Sequence, residues 1–268
     1  MEQSTHASVT RHRLGKPCSE VDDVLATEEP LEIRVEGRSV ALTMRTPGHD
    51  EELAMGFLAT EGVLHGSDDV LDLDICSARD DGSGNIINVR LRDPSSVDLD
   101  QLSRHVFTSS SCGLCGKATI DSVRDQHESI SRDQALLITL PTLLQLPAKL
   151  RAAQTTFQAT GGLHAAALFD PTGNLIVVRE DVGRHNAVDK VLGRLLLDGG
   201  DAAKLGLLVS GRIAFEIAQK ALAARVGLIA GISAPTSLAV DLAQTSGQTL
   251  VGFLRDNRCN VYAGELGD

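Results

Sequence analysis

The sequence predicts a mixed α/β protein, α+β overall, with a smaller β-rich N-terminal part followed by a layered α/β part. Three observations predict it. Up to about residue 95, short alternating apolar–polar runs recur with turn signals between them, which is the pattern of half-buried strands. From about residue 140 strands alternate with helical stretches of about a dozen residues, the rhythm of a layered sheet. Of 268 residues, 42% are apolar but only 3% aromatic, with no tryptophan, so a true core is available and must be built from Leu, Val, Ile and Ala. The chain divides into a flexible arm over 1–29, a β-rich subdomain over 30–135 and an α/β domain over 136–268.

Each element has its own signal. Leu31-Glu32-Ile33-Arg34-Val35 alternates, turns at Glu36-Gly37, and meets a hairpin partner in Val40–Met44. Pro47-Gly48 breaks that strand. His49-Asp50-Glu51-Glu52 opens a helix with acids at its positive end, and the helix runs to Thr60 and stops at Gly62. Strands follow at Val70–Ile75 and Ile86–Leu91, joined by the turn Asp80–Asn85. Thr142 to Phe157 is helix-rich and interrupted by Pro147. Then come strand Leu163–Phe169, turn Asp170–Gly173, strand Asn174–Val178, helix Asn186–Leu197, strand Leu205–Ser210 and helix Ala214–Ala224. Strand Leu228–Ser233, helix Ser237–Gln244 and strands Thr249–Leu254 and Asn260–Tyr262 end the chain.

Charge and hydropathy exclude some functions. A net charge of −11 argues against a general nucleic-acid binder, which needs a basic face for phosphates. It leaves room for a local basic pocket. No apolar run reaches the roughly 18–20 residues that a membrane span requires. The segment Met1 to Glu20 has no apolar signal-peptide core, so a cytoplasmic protein with a loosely ordered arm is expected.

Five cysteines occur, and only Cys112 and Cys115 are spaced for joint chemistry. They lie in Ser109-Ser110-Ser111-Cys112-Gly113-Leu114-Cys115-Gly116-Lys117, a polar loop expected to be mobile. Its glycines leave the sulfurs little covered. Lys117 supplies a cation, and a short helix after Gly116 would put its positive end near Cys115; both favour thiolate, the reactive form. In a reducing compartment such a pair is catalytic or metal-binding rather than a structural disulfide. Cys18, Cys76 and Cys259 have no partner at motif spacing and read as ordinary cysteines.

Four polar clusters fall at strand boundaries, where ligands sit in open α/β sheets. They are Thr160–His164, Glu180–Asn186, Ser210-Gly211-Arg212 and Ser233–Ser237. Each joins a small residue to hydroxyl, imidazole or guanidinium donors, the mixture that a phosphate ligand needs. Such runs are also ordinary turn and cap chemistry. Arg184 and His185 are harder to explain that way. Both start a helix, where the macrodipole disfavours cations, so an anion or an acidic neighbour, Glu180 or Asp181, is required. Two more arginines, Arg255 and Arg258, stand at the end of the last long strand.

Taken together these runs resemble the FdhD family, the formate dehydrogenase accessory sulfurtransferases. The matching stretches are Arg45-Thr46-Pro47-Gly48, Glu51–Leu58 with Glu61-Gly62, Ser109–Gly116, Thr160–Ala166, Asp181–Lys190, Ser210–Arg212, Ser233–Thr236 and Gly252–Arg255. They stand in the family's order over roughly residues 30–265. The resemblance implies a sulfur carrier that takes persulfide sulfur from a cysteine desulfurase and passes it to the molybdenum cofactor. That cofactor, in its bis-molybdopterin guanine dinucleotide form, is a transient ligand with no permanent cofactor beside it, and it then enters formate dehydrogenase. Cys112 and Cys115 would carry the sulfur. Phe253, Leu254, Arg255, Asp256, Asn257 and Arg258 would bind the cofactor, helped by His164, Arg184, His185, Ser210, Arg212 and Thr236. A homodimer is expected. The family's C-terminal part is similar in fold to cytidine deaminase, but this chain lacks the deaminase zinc pattern. Two alanines follow His164 where a spacer and a glutamate would stand, and no Pro-Cys-x-x-Cys follows. Ala214 stands where the family pattern suggests serine. The alternative function is a zinc-binding interaction module, with C-x-x-C pairs shared across a homodimer. A thioredoxin-like oxidoreductase fits less well, because its motif would follow an early strand.

Overall fold

The structure is a computed structural model and describes residues 2–76, 85–97, 127–131, 136–255 and 257–268. Three sheets organise it. The first is a hairpin of β1 (Ser4–Arg13) and β2 (Lys16–Ala26), turning at Leu14-Gly15 with Gly15 at φ 75°. This corrects the expectation of a loosely ordered arm. Both faces of the ribbon are largely exposed, so it carries no apolar stripe that a periodicity argument would detect. Backbone pairing, Val9 opposite Val21, and the contacts His6–Asp22 and Arg11–Asp23 hold it instead.

The second sheet has the order β4-β3-β6-β5, from β3 (Glu29–Val35), β4 (Arg38–Arg45), β5 (Val70–Cys76) and β6 (Ile86–Leu91). Glu36 and Gly37 both take positive φ, as a tight two-residue hairpin turn requires. Helix α1 (Asp50–Thr60) covers the sheet. Leu53 and Leu58 pack with Leu31, Ile33, Ile87 and Val89 in one core.

The third sheet has the order β12-β11-β10-β9-β7-β8. Its strands are β7 (His164–Phe169), β8 (Leu175–Asp181), β9 (Gly206–Val209), β10 (Leu228–Gly231), β11 (Thr249–Arg255) and β12 (Arg258–Ala263). The central β9, β10 and β11 are parallel, and β7, β8 and β12 run antiparallel to their neighbours. Among the described residues six helices belong to this part: α2 (Leu140–Leu143), α3 (Leu146–Ala153), α4 (Thr155–Thr160), α5 (Arg184–Leu197), α6 (Phe215–Ala223) and α7 (Ser237–Ser246). Alternate strand residues serve two cores. Leu168, Leu207, Val209 and Ile229 pack with α5, α6 and α7, whereas Phe169, Leu208, Leu228 and Val251 pack with Leu143, Leu146 and Leu150. Pro147 sits in the first turn of α3, so it begins a helix rather than interrupting one.

Helices α1 and α5 join the second and third sheets. A Cβ on Gly56 would lie 1.8 Å from the Asp189 carbonyl oxygen, and one on Gly193 would lie 1.8 Å from that of Glu52. Only glycine permits this approach. Among the described residues no helix is long and apolar enough to cross a membrane.

Candidate functional site

The start of antiparallel β7 and the carboxyl ends of β9 and β10 meet at one end of the third sheet, beside a cleft of about 530 Å³. His164, Ser210 and Ile232 line it from the strands, and Arg151, Gln154 and Phe157 from α3, α4 and their junction. The Ser210 hydroxyl accepts from the Ala165 N–H at 2.9 Å, so it ties the two strands together. His164 is packed beside Gly211: a Cβ there would stand 3.3 Å from His164 Nδ1 and 3.7 Å from Arg184 Cβ. Burial, then Arg184 and Arg212, lowers the His164 pKa and keeps the ring neutral.

Arg184 and His185 open α5 after Gly183, and no side chain caps this terminus. Arg184 Nε and His185 Nε2 are buried and have no hydrogen-bond partner among the described residues. His185 is pushed down to about 4, chiefly by burial and then by Arg184 and Lys220. The two acids expected to neutralise them are engaged elsewhere. Glu180 accepts from the Thr156 and Phe157 N–H groups at 2.9 and 2.7 Å, capping α4. Asp181 is wholly buried and pairs with Lys190 at 2.7 Å. One guanidinium and one neutral imidazole thus stand at a positive helix end with buried nitrogens left open, an arrangement suited to an anion.

The rest of the Asp181–Lys190 run is an adhesive. Asp181 accepts from the N–H groups of Thr46 and Gly183 and from the Asn186 amide, at 3.1, 2.8 and 2.9 Å. The Asn186 amide also donates to the Met44 carbonyl, and Lys190 donates to the Thr46 carbonyl at 2.8 Å. Asp189 pairs with Lys220 at 2.9 Å and accepts from the Thr60 hydroxyl. Burial pushes the Asp189 carboxyl up to about 6 against the pull of Lys220. For Lys220, burial works against its charge, but Asp189 and Glu61 outweigh it and raise the pKa, so the pair is ionised at neutral pH. Arg179 grips Glu52 with two nitrogens. Burial alone would raise Glu52, yet Arg179 and His49 hold it down at about 2. Sequence reasoning missed these contacts. Their available signal was charge at core-facing positions of a helix.

The remaining expected residues lie at the same sheet end. Arg212 is exposed just after β9. Thr236 precedes α7, and its N–H donates to the Ile213 carbonyl, stitching the loops after β9 and β10. The Phe253 N–H donates to the Ser233 carbonyl, beside Ile232 of the cleft. Phe253 and Asn257 take positive φ of 51° and 58°, and Arg255 stacks on the Phe253 ring at 5.6 Å. Arg255 and Arg258 face each other across the hairpin, a like-charge pairing that an anion would relieve. Leu254 is fully buried, and its side chain anchors the segment in the core. Cys112, Cys115 and Asp256 lie outside the described residues. Among those described, no group of three or more His, Cys, Asp or Glu is arranged to hold a metal ion.

Comparison with known proteins extends this geometry. The sequence profile of the FdhD/NarQ family matches residues 26–266. The sulfur carrier protein FdhD of Streptomyces avermitilis is 53% identical over 248 residues, covering 91% of this chain and 88% of that one. Its namesake in Sulfurisphaera tokodaii is 44% identical, covering 90% of each. A crystal structure from Desulfotalea psychrophila, of a protein assigned as a formate dehydrogenase accessory protein, superposes with a TM-score of 0.77. It covers 98% of both chains at 24% identity, and so shows the shared fold. A match over nearly the whole chain, with relatives this similar along about nine-tenths of their own length, means that the chain belongs to the FdhD/NarQ family.

Proposed function

We propose that this protein is a sulfur carrier that takes sulfur from a cysteine desulfurase and delivers it to the molybdenum cofactor, as the bis-guanine dinucleotide, before the cofactor enters formate dehydrogenase. The observation that carries the ligand half of this reading is the pair of buried nitrogens without a partner among the described residues, Arg184 Nε and His185 Nε2, at the helix start beside His164. Phosphate oxygens would partner these nitrogens, Arg212 adds positive charge beside His164, and Arg255 and Arg258 add it farther along the same sheet end. The names of the relatives and the Cys112–Cys115 pair support the sulfur half.

The transfer balances without an external oxidant. A Cys112 thiolate attacks the terminal sulfur of the desulfurase persulfide, forming Cys112–S–S⁻ and releasing the desulfurase thiolate. The Cys115 thiolate then attacks the inner sulfur of that persulfide. A Cys112–Cys115 disulfide forms, and the outer sulfur leaves as sulfide with the electron pair. Sulfide replaces an oxo group on the molybdenum, with water as the other product. A cellular dithiol resets the disulfide.

Intact-mass analysis after incubation with cysteine and a cysteine desulfurase tests this reading. One added sulfur atom is expected, and it should be lost in the Cys112→Ala/Cys115→Ala variant. No added sulfur, together with stoichiometric zinc bound through these cysteines, would instead establish the zinc-module alternative.

A further inference from the structure

The β1–β2 ribbon lines no part of the cleft, and it is tied to the body at its root. There the Gln3 carbonyl accepts from the Thr27 N–H at 3.0 Å, and the Gln3 amide oxygen accepts from the Thr156 hydroxyl at 2.9 Å. Ala26 meets the body too, since a Cβ on Gly162 would lie 3.4 Å from the Ala26 Cβ. Side chains alternate between the two faces of a strand. That contact therefore turns the face of Val24 and Ala26 toward the body and the face of Val21 and Leu25 away from it. The register puts Ala7, Val9 and Arg11 on this outer face, opposite Asp23, Val21 and Ser19. Pairing thus assembles a patch of Ala7, Val9, Val21 and Leu25 that neither strand shows alone. Val9, Val21 and Leu25 join none of the hydrophobic clusters of the described residues, and Leu25 is exposed, as is Leu14 at the tip. A two-stranded ribbon is marginal in water unless something covers a face of it.

The charges on this face are complementary to themselves. Arg11 lies one step toward the tip from the Val9–Val21 pair, and Asp23 lies one step toward the body. When two such faces stack antiparallel about a two-fold axis through that pair, Arg11 of each copy falls beside Asp23 of the other. Within one ribbon the same two side chains make only a loose contact, 3.9 Å apart and well exposed. We propose that this face is a docking surface for a second copy of the chain, with the ribbons stacked antiparallel, Val9 and Val21 at the centre and two Arg11–Asp23 pairs flanking them. Sheets stacked face to face lie about 10 Å apart, a gap that the apolar side chains of both ribbons fill. Leu14 at each tip then covers Leu25 at the root of the other ribbon. The basic tip of each copy, with Arg13 and Lys16, comes to the root of its neighbour, near the cleft that Gly162 lines.

Light scattering on the full chain after size exclusion, over a range of concentrations, tests this. The wild-type chain should be a dimer. Val9→Asp sets two carboxylates face to face at the axis and should raise the dissociation constant by about a hundredfold or more. Arg11→Glu and Asp23→Arg should each raise it by roughly tenfold or more, because each dimer then holds two like-charge contacts. Mixed together, these two variants should dimerise nearly as well as wild type. The acid introduced at 11 in one chain then faces the base introduced at 23 in the other, and the native Asp23 and Arg11 face each other. Within each chain positions 11 and 23 still repel, so contacts inside a ribbon cannot give this rescue. A monomeric wild type, a dimer unmoved by Val9→Asp and Arg11→Glu, or single variants that stay apart when mixed would each overturn the proposal.

Discussion

Replacing Asp181 by Asn should destabilise the protein strongly, and replacing its partner Lys190 by Met should cost less. Both side chains are fully buried, 2.7 Å apart. Breaking a buried pair leaves an uncompensated charge, at about 3–5 kcal/mol. Asp181→Asn leaves the Lys190 ammonium with only the Thr46 carbonyl, and it turns an amide toward backbone N–H groups that need an acceptor. Lys190→Met leaves a carboxylate that still accepts from Thr46, Gly183 and Asn186, so roughly half of that loss is expected. At about 2.1 cal/mol/K per residue, the unfolding entropy of 268 residues is ~0.56 kcal/mol/K, so Asp181→Asn should lower Tm by about 5–9 °C. Melting followed by far-ultraviolet circular dichroism measures both variants. The reasoning is refuted if Lys190→Met melts as low as Asp181→Asn, or if Asp181→Asn stays within about 2 °C of wild type.

Other predictions concern the chemistry and the packing. Cys112→Ala should abolish activation of the client formate dehydrogenase with Tm unchanged; full activity with Cys112→Ala beside an inactive Cys115→Ala would reverse their roles. The neutral His185, held near about 4, should gain a proton when phosphate binds, so GDP affinity should rise as pH falls from about 7 to about 5. The sign for stability is opposite: between about 4 and 6.5 the unfolded chain binds that proton better, so stability falls as pH falls through that window. His185→Asn should flatten both slopes, and calorimetry and melts across that range will show whether it does. Gly56→Ala should lower stability by about 2–3 kcal/mol in denaturant unfolding, because the added methyl meets a backbone carbonyl that cannot step aside. Arg258→Ala should weaken GDP by about ten- to hundredfold while leaving Tm unchanged or slightly higher, since it relieves the pairing with Arg255.

Much of the fold was legible because its signals are local. The 3.6-residue stripe of α5, the short apolar β9 and β10 and the turn at Glu36-Gly37 each follow from neighbours in sequence. The β1–β2 ribbon was not legible, since strands exposed on both faces have no apolar period and are fixed only by pairing. The site was legible in outline, as polar clusters that strand order brings to one end. Which members meet a ligand was not, because that depends on partners far along the chain. Glu180 looked like a counter-ion and is a helix cap; Leu254 looked like a contact and is core.

Those long-range partners explain how one ten-residue run can serve stability and binding together. Arg184 Nε and His185 Nε2, without a hydrogen-bond partner among the described residues at a positive helix end, cost the fold free energy that Glu216, acting on His185, offsets only in part. The same helix, one to two turns on, carries Asp189 and Lys190, whose buried contacts lock it to Thr46, Thr60 and α6. The helix start is therefore held in place by its later turns rather than by a ligand. A helix start fixed in this way would hold Arg184 and His185 in place before any anion arrives, so the proposed binding would lose little to reorganisation. It follows that Arg184→Ala and Asp181→Asn should be opposite in kind. The first should cost affinity and spare or raise Tm. The second should cost Tm while leaving the GDP affinity of the folded fraction within a few-fold of wild type. If Arg184→Ala proves the more destabilising of the two, the open donors are structural after all, and this separation of roles within α5 is wrong.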